Sequence, residues 1–110
     1  MAVSPSLIAE AIRWRRDFHA CPELGYQEQE TSRRVAELLA SFGLQVHSGL
    51  AGTGVVATLE NGPGPVIGLR ADMDALPITE QSDVDYKSRN PGVMHACGHD
   101  GHSAMLLAAA

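Results

Sequence analysis

The residues best equipped for chemistry crowd into one run, Gly-Val-Met-His-Ala-Cys-Gly-His-Asp-Gly-His, from Gly92 to His102. His95, Cys97, His99, Asp100 and His102 fall within eight residues, and the run takes three of the chain's five histidines and one of its two cysteines. Imidazole and thiolate hold borderline-soft divalent metals. If the run is extended, His95, Cys97 and His99 share one face, because side chains alternate along a strand. Glycines at 98 and 101 let the backbone bend and gather donors. A metal site is the sharpest reading. Three plainer ones stand beside it. Cys97 serves as a small buried residue, or His102 simply faces solvent on a helix, or Cys97 pairs with His95 or His99 as thiol nucleophile and base. The last is the weaker, since catalytic partners usually come from distant parts of a chain.

A second candidate group is Arg70-Ala71-Asp72-Met73-Asp74. It follows Pro65-Val66-Ile67-Gly68-Leu69, which is almost wholly apolar and predicts a strand buried on both faces, as at the centre of an α/β sheet. Ligands of such sheets gather at the carboxyl ends of strands. Asp72 and Asp74 are therefore placed to touch a metal or to orient a metal-bound histidine. The competing role is to cap a loop or pair with Arg70.

The elements that must position these groups are legible in outline. Ser4-Pro5 predicts an N-cap and a first helical residue. Leu7, Ile8, Ala11, Ile12 and Phe18 recur at helical spacing, with the stem of Arg15 completing the stripe and Arg13, Arg16 and Asp17 outside it. Pro22 stops this helix, and His19 and Glu23 cap or brace the turn after it. A second helix is predicted from Gln27 to Phe42, with Glu30 and Arg34 paired at i,i+4. Val35, Leu38, Leu39 and Phe42 form its buried stripe, and Gly43 its terminator. Two alternating strands are predicted at 44–47 and 54–60, with Val55, Ala57 and Leu59 on one face and His47 at the surface. Asn61-Gly62-Pro63-Gly64 is a turn. Residues 79–91 read as a mobile polar loop. Asp100 is placed to cap a final helix from Gly101 to Ala110, with Ala104, Leu107 and Ala108 on one face.

A chain of 110 residues has room for one small domain. Its net charge of −5, without a basic block, argues against nucleic acid or an anionic membrane as partner. No apolar run approaches the roughly 18–20 residues that span a bilayer. The N-terminus lacks signal-peptide character, since Leu7-Ile8-Ala9 is broken by Glu10 and then by arginines. Cys21 and Cys97 read as free thiols in a reducing, cytoplasmic setting.

Three stretches carry a family resemblance: Arg16-Asp17-Phe18-His19 through Pro22-Glu23-Leu24-Gly25 and Glu28, then Gly68 to Ile78, then Met94 to His102. They resemble the metal-dependent amidohydrolases, the group of hippurate hydrolase, bacterial N-acyl-amino-acid amidohydrolases and plant indole-acetyl-amino-acid hydrolases, within the aminoacylase and zinc-carboxypeptidase superfamily. The resemblance implies an α/β catalytic domain, a mixed sheet between helices, with a smaller lid or dimerisation domain. It also implies a pair of divalent ions, manganese, zinc, cobalt or nickel. Cys97 and His99 match metal ligands, with the thiolate bridging, and Asp74 matches the aspartate that supports the site. Asp72 stands where distant superfamily members place a ligand histidine, and His95 and His102 are possible accessories. The implied reaction is cleavage of the amide bond of an N-acyl amino acid by metal-activated water, with a glutamate as general base.

That glutamate, the later ligands and the lid domain have no match between residues 1 and 110. The last helix ends in apolar Met105-Leu106-Leu107-Ala108-Ala109-Ala110 without a capping residue. The expectation is an N-terminal portion of the catalytic domain, inactive alone, with unpaired sheet edges that invite aggregation and any homo-oligomer contact lying in the missing domain. A non-catalytic relative that binds a metal or a partner is the alternative.

Overall fold

The structure, a computed structural model, describes residues 2–110. Three helices pack around one small core, and a two-stranded hairpin flanks it. Helix α1 spans Pro5–Ala20. Ser4 caps it by accepting the Leu7 N–H at 3.2 Å, and Pro5 supplies a first residue whose missing N–H is not needed there. Its buried face is turned relative to the predicted stripe. Leu7, Ala11, Trp14 and Phe18 face the core, while Ile8 and Ile12 are left exposed. The indole of Trp14 is the largest apolar group on the helix, and it packs at 5.7 Å, ring to ring, on Phe42.

Helix α2, Gln29–Ser41, begins two residues later than predicted and ends where Gly43 takes φ +86°. Its N-terminus is satisfied from outside the helix. The Glu23 carboxylate accepts the N–H groups of Glu30 (3.0 Å) and Thr31 (2.6 Å) and the Thr31 hydroxyl. Glu23 thus braces the turn, as expected. Glu30 does not pair with Arg34. It pairs with Arg33, which also meets Glu37, and Arg34 crosses to Asp17 on α1. Val35 is buried, with Leu38 and Leu39 packed beside it.

Strands β1 (Gln45–Leu50) and β2 (Gly54–Thr58) pair antiparallel, with Val46 opposite Ala57 and His47 opposite Val56. His47 lies at the surface, and Val55 turns towards the helices. Leu59 falls outside β2 and is exposed.

The apolar run 65–69 departs from expectation. It forms no strand among the described residues, and Val66 and Ile67 are 96% and 83% exposed. A strand buried on both faces needs neighbours at both edges and layers on both sides, and residues 2–110 supply neither. The predicted mixed sheet is therefore represented by the hairpin and two isolated bridges, Leu24 with Ala75 (parallel) and Leu76 with Met94 (antiparallel).

Helix α3, His99–Ala109, begins two residues earlier than predicted. Asp100 sits inside its first turn and is not its cap. Ala104 and Leu107 face Trp14, Phe18 and Val35 in the core, with Ala108 against them. No helix among the described residues is long and apolar enough to cross a membrane.

Candidate metal centre

Two chain crossings bring residues 72–76 beside the His95–His102 run. The Ala75 N–H donates to the Glu23 carbonyl at 2.8 Å. Leu76 and Met94 exchange both backbone hydrogen bonds, at 2.9 and 3.0 Å. The aspartates of 72–74 are thereby set against the start of α3. Ser103 Oγ adds a bond to the Asp72 carbonyl at 3.0 Å.

The closest pairing is between Asp74 and His99. His99 Nδ1 donates to Asp74 Oδ1 at 2.9 Å and to the Asp74 carbonyl at 3.0 Å. Both partners are acceptors, so the proton of the neutral ring is on Nδ1. Nε2 then carries the lone pair, the arrangement that carboxylate-held metal-binding histidines use. Asp72 Oδ2 lies 3.9 Å from that Nε2, and its other oxygen pairs with Arg70.

Gly98, at φ +83°, makes the turn into α3 and supplies no side-chain cap. The run before it forms no strand, so strand alternation does not set His95, Cys97 and His99 on one face. Cys97 is exposed with a free thiol, His99 is partly buried, and His95 is 4% exposed. His102 is exposed, its ring 5.8 Å from that of His99. Cys21 is likewise free.

Beneath the turn lies a buried polar cluster. His19 Nδ1 donates to Asp100 Oδ2 at 2.8 Å, and Nε2 donates to Glu80 at 3.0 and 3.1 Å. Arg15 Nε meets the same Asp100 oxygen at 3.0 Å. Asp100 is 1% exposed. Burial alone would raise the Glu80 carboxyl, but hydrogen bonds from Ser82, from the Ser88 N–H and from His19 outweigh it and hold it at about 2. Burial pushes the His95 imidazole down, against the opposing pull of Asp100. Neither His95 nitrogen has a hydrogen-bond partner, nor does Asp100 Oδ1. The sequence suggests a turn brace for His19. Its role here, joining residues 61 and 81 positions away, has only one local signal: a histidine between Phe18 and Ala20 on a helix about to be buried.

The same cluster pins the loop predicted to be mobile. Tyr86 accepts from Arg15 Nη1 at 3.4 Å and lies under the Arg15 and Arg16 guanidiniums. The Arg89 N–H reaches the Ala20 carbonyl and Asn90 Nδ2 the Pro22 carbonyl.

The donor chemistry fits a divalent ion at one edge. An exposed thiol and an imidazole with a free Nε2 lie two residues apart, the imidazole held by a carboxylate. Among the described residues no group of three or more His, Cys, Asp or Glu side chains is arranged to hold an ion by itself.

Residues 68–110 match the family described as Peptidase family M20/M25/M40. The N-acyl-L-amino acid amidohydrolase of Geobacillus stearothermophilus is 54% identical over 102 residues, which are 92% of this chain and 28% of that protein. The hippurate hydrolase of Campylobacter jejuni is 50% identical over 105 residues, 94% of this chain and 27% of that one. Among solved structures, a Bacillus subtilis protein described as a dinuclear metal binding peptidase from the M20 family superposes with a TM-score of 0.86 at 40% identity, over 93% of this chain and 29% of its own. The chain spans about a quarter of the length of the curated relatives it matches.

Proposed function

We propose that this chain, a relative of the hydrolases of peptidase family M20/M25/M40, carries the Cys97–His99 edge of a dinuclear metal centre in an amidohydrolase acting on N-acyl amino acids. The observation that carries this is the bond between Asp74 and His99 Nδ1, which leaves Nε2 without a hydrogen bond on a residue two positions from the exposed, free Cys97 thiol. Cys97 and His99 would hold the metal, and Asp74 would orient His99 and raise its basicity. Asp72, paired with Arg70, is available as an accessory, as are His95 and His102. Bound divalent metal, manganese, zinc, cobalt or nickel, supplies a Lewis acid that polarises the amide carbonyl and activates water. A free Cys97 thiol suits a cytoplasmic setting.

The general base is not among the glutamates of this chain. Glu23 caps α2, Glu28 is held by the Tyr26 N–H and the Thr53 hydroxyl, and Glu80 is sealed by His19, Ser82 and Ser88. Glu10, Glu30 and Glu37 pair with exposed arginines, and Glu60 lies exposed just beyond β2 of the hairpin. Two donors also fall short of the three protein ligands that catalytic zinc uses. The 110-residue chain should therefore bind metal without turning over substrate.

Cobalt titration of the chain tests this, read by the thiolate-to-metal absorption band. Cys97→Ser should abolish the band. Asp74→Ala should weaken binding about tenfold, at the low end of the range for such supports, because the Asp74 carbonyl still holds Nδ1. Equal affinity in Asp74→Ala and the parent would remove the role given to Asp74, and a band that survives Cys97→Ser would remove the site. Release of amino acid from a panel of N-acyl amino acids by the isolated chain would show that its own residues complete the machinery.

A further inference from the structure

We infer that His19 is a positioning residue for the Cys97–His99 segment, acting through Asp100. The inference rests on the reading of Cys97 and His99 as metal ligands. Asp100 is the covalent neighbour of His99, and it is almost fully buried. No local side chain fixes the turn that carries these residues, because the N-cap of α3 is Gly98, in the left-handed region, and only backbone bonds from Gly101 and His102 to its carbonyl close the turn. Its orientation depends on tertiary anchors. One is the bond from His99 to Asp74. The other is Asp100, whose Oδ2 receives His19 Nδ1 at 2.8 Å and Arg15 at 3.0 Å, both from α1. Both reach on into the loop after Ile78, Arg15 through its long bond to the Tyr86 hydroxyl at 3.4 Å and the buried His19 through Nε2, 3.0 Å from Glu80. One rigid ring thus ties α1, the loop after Ile78 and the first turn of α3. Two anchors on adjacent residues, His99 and Asp100, fix both the position and the rotation of that turn. Without the Asp100 anchor, the start of the turn is held only from the side of residues 72–74, by His99 and by the Ser103 hydroxyl on the Asp72 carbonyl.

Two isosteric substitutions separate positioning from bulk stability. His19→Asn puts an amide nitrogen where Nδ1 sits and keeps the bond to Asp100. His19→Gln puts one where Nε2 sits and keeps the bond to Glu80. Both variants and the parent 110-residue chain are titrated with cobalt, read by the Cys97 thiolate band, with far-UV circular dichroism as the check on fold. His19→Gln should weaken cobalt binding by about tenfold or more, in the range known for groups that hold metal ligands in place, and His19→Asn by less than about threefold. Equal affinities in the two variants would overturn the inference, and so would loss of the fold in both. A parent chain with no Cys97-dependent band would instead overturn the metal site itself, and the inference with it.

Discussion

Glu80 is a carboxylate with almost no access to water, and it stays ionised because Ser82, the Ser88 N–H and His19 all donate to it. Its folded pKa of about 2 lies below the ordinary 4.5. A depressed acid binds its proton more weakly in the folded chain than in the unfolded one. The stability it contributes is therefore fully present above about pH 4.5 and is lost as pH falls towards 2. Urea midpoints measured across that interval should drop in the parent chain, and Glu80→Gln should flatten this limb while lowering stability at neutral pH. Parallel curves for the two proteins would show that Glu80 does not couple folding to protons. At this scale, residue type and spacing pointed to the run from His95 to His102 and to Asp72 and Asp74, and it was the family resemblance that narrowed these to Cys97, His99 and Asp74. The contacts were less legible. A strand-end aspartate that orients a histidine could be suspected from Asp72 and Asp74, and the structure joins Asp74 to His99. His19 and Asp100 stand 81 positions apart, and a polar residue near a helix end reads most simply as a cap.

Helix ends were the most legible elements, because caps are local chemistry. Ser4-Pro5 starts α1 and Gly43 ends α2 as their types demand. The run 65–69 was not legible. A continuous apolar stretch has the pattern of a central strand, but burial is a property of its neighbours, and composition does not report whether they are there. The loop 79–91 failed in the opposite direction: its polar residues suggested mobility, yet Glu80, Tyr86, Arg89 and Asn90 each hold it to α1 or the turn after it. The start of α2 shows how such a tertiary contact replaces a local one. Its N-cap, Glu28, makes no side-chain bond to the helix, and Glu23 does the capping from the preceding turn. A carboxylate there also meets the positive end of the helix. Glu23→Ala should cost about 1–2 kcal/mol in urea unfolding, like loss of other strong caps. A change below about 0.3 kcal/mol would mean that water satisfies those N–H groups as well as Glu23 does.

For the whole molecule, the balance is between a compact three-helix core and an uncovered apolar segment. Trp14, Phe18, Val35, Ala104 and Leu107 form the buried cluster, with residues from all three helices, so truncating its largest member should be severe. Trp14→Ala is expected to cost about 3–5 kcal/mol, a large fraction of the stability a domain this small can have. Val66, Ile67 and Leu69 lie at the other extreme, exposed and unpaired by any ladder. Neighbouring apolar side chains on an unpaired backbone offer both a sticky surface and free hydrogen-bonding groups to another chain. The chain should therefore self-associate as concentration rises, through this segment and without unfolding. Ile67→Glu places a charge at its centre while touching nothing in the core. It should change the urea midpoint by the equivalent of less than about 0.5 kcal/mol. It should also shift the onset of association, followed by sedimentation velocity, to clearly higher concentration. If Ile67→Glu unfolds the chain, the segment is packed in solution; if it associates as the parent does, another surface drives assembly.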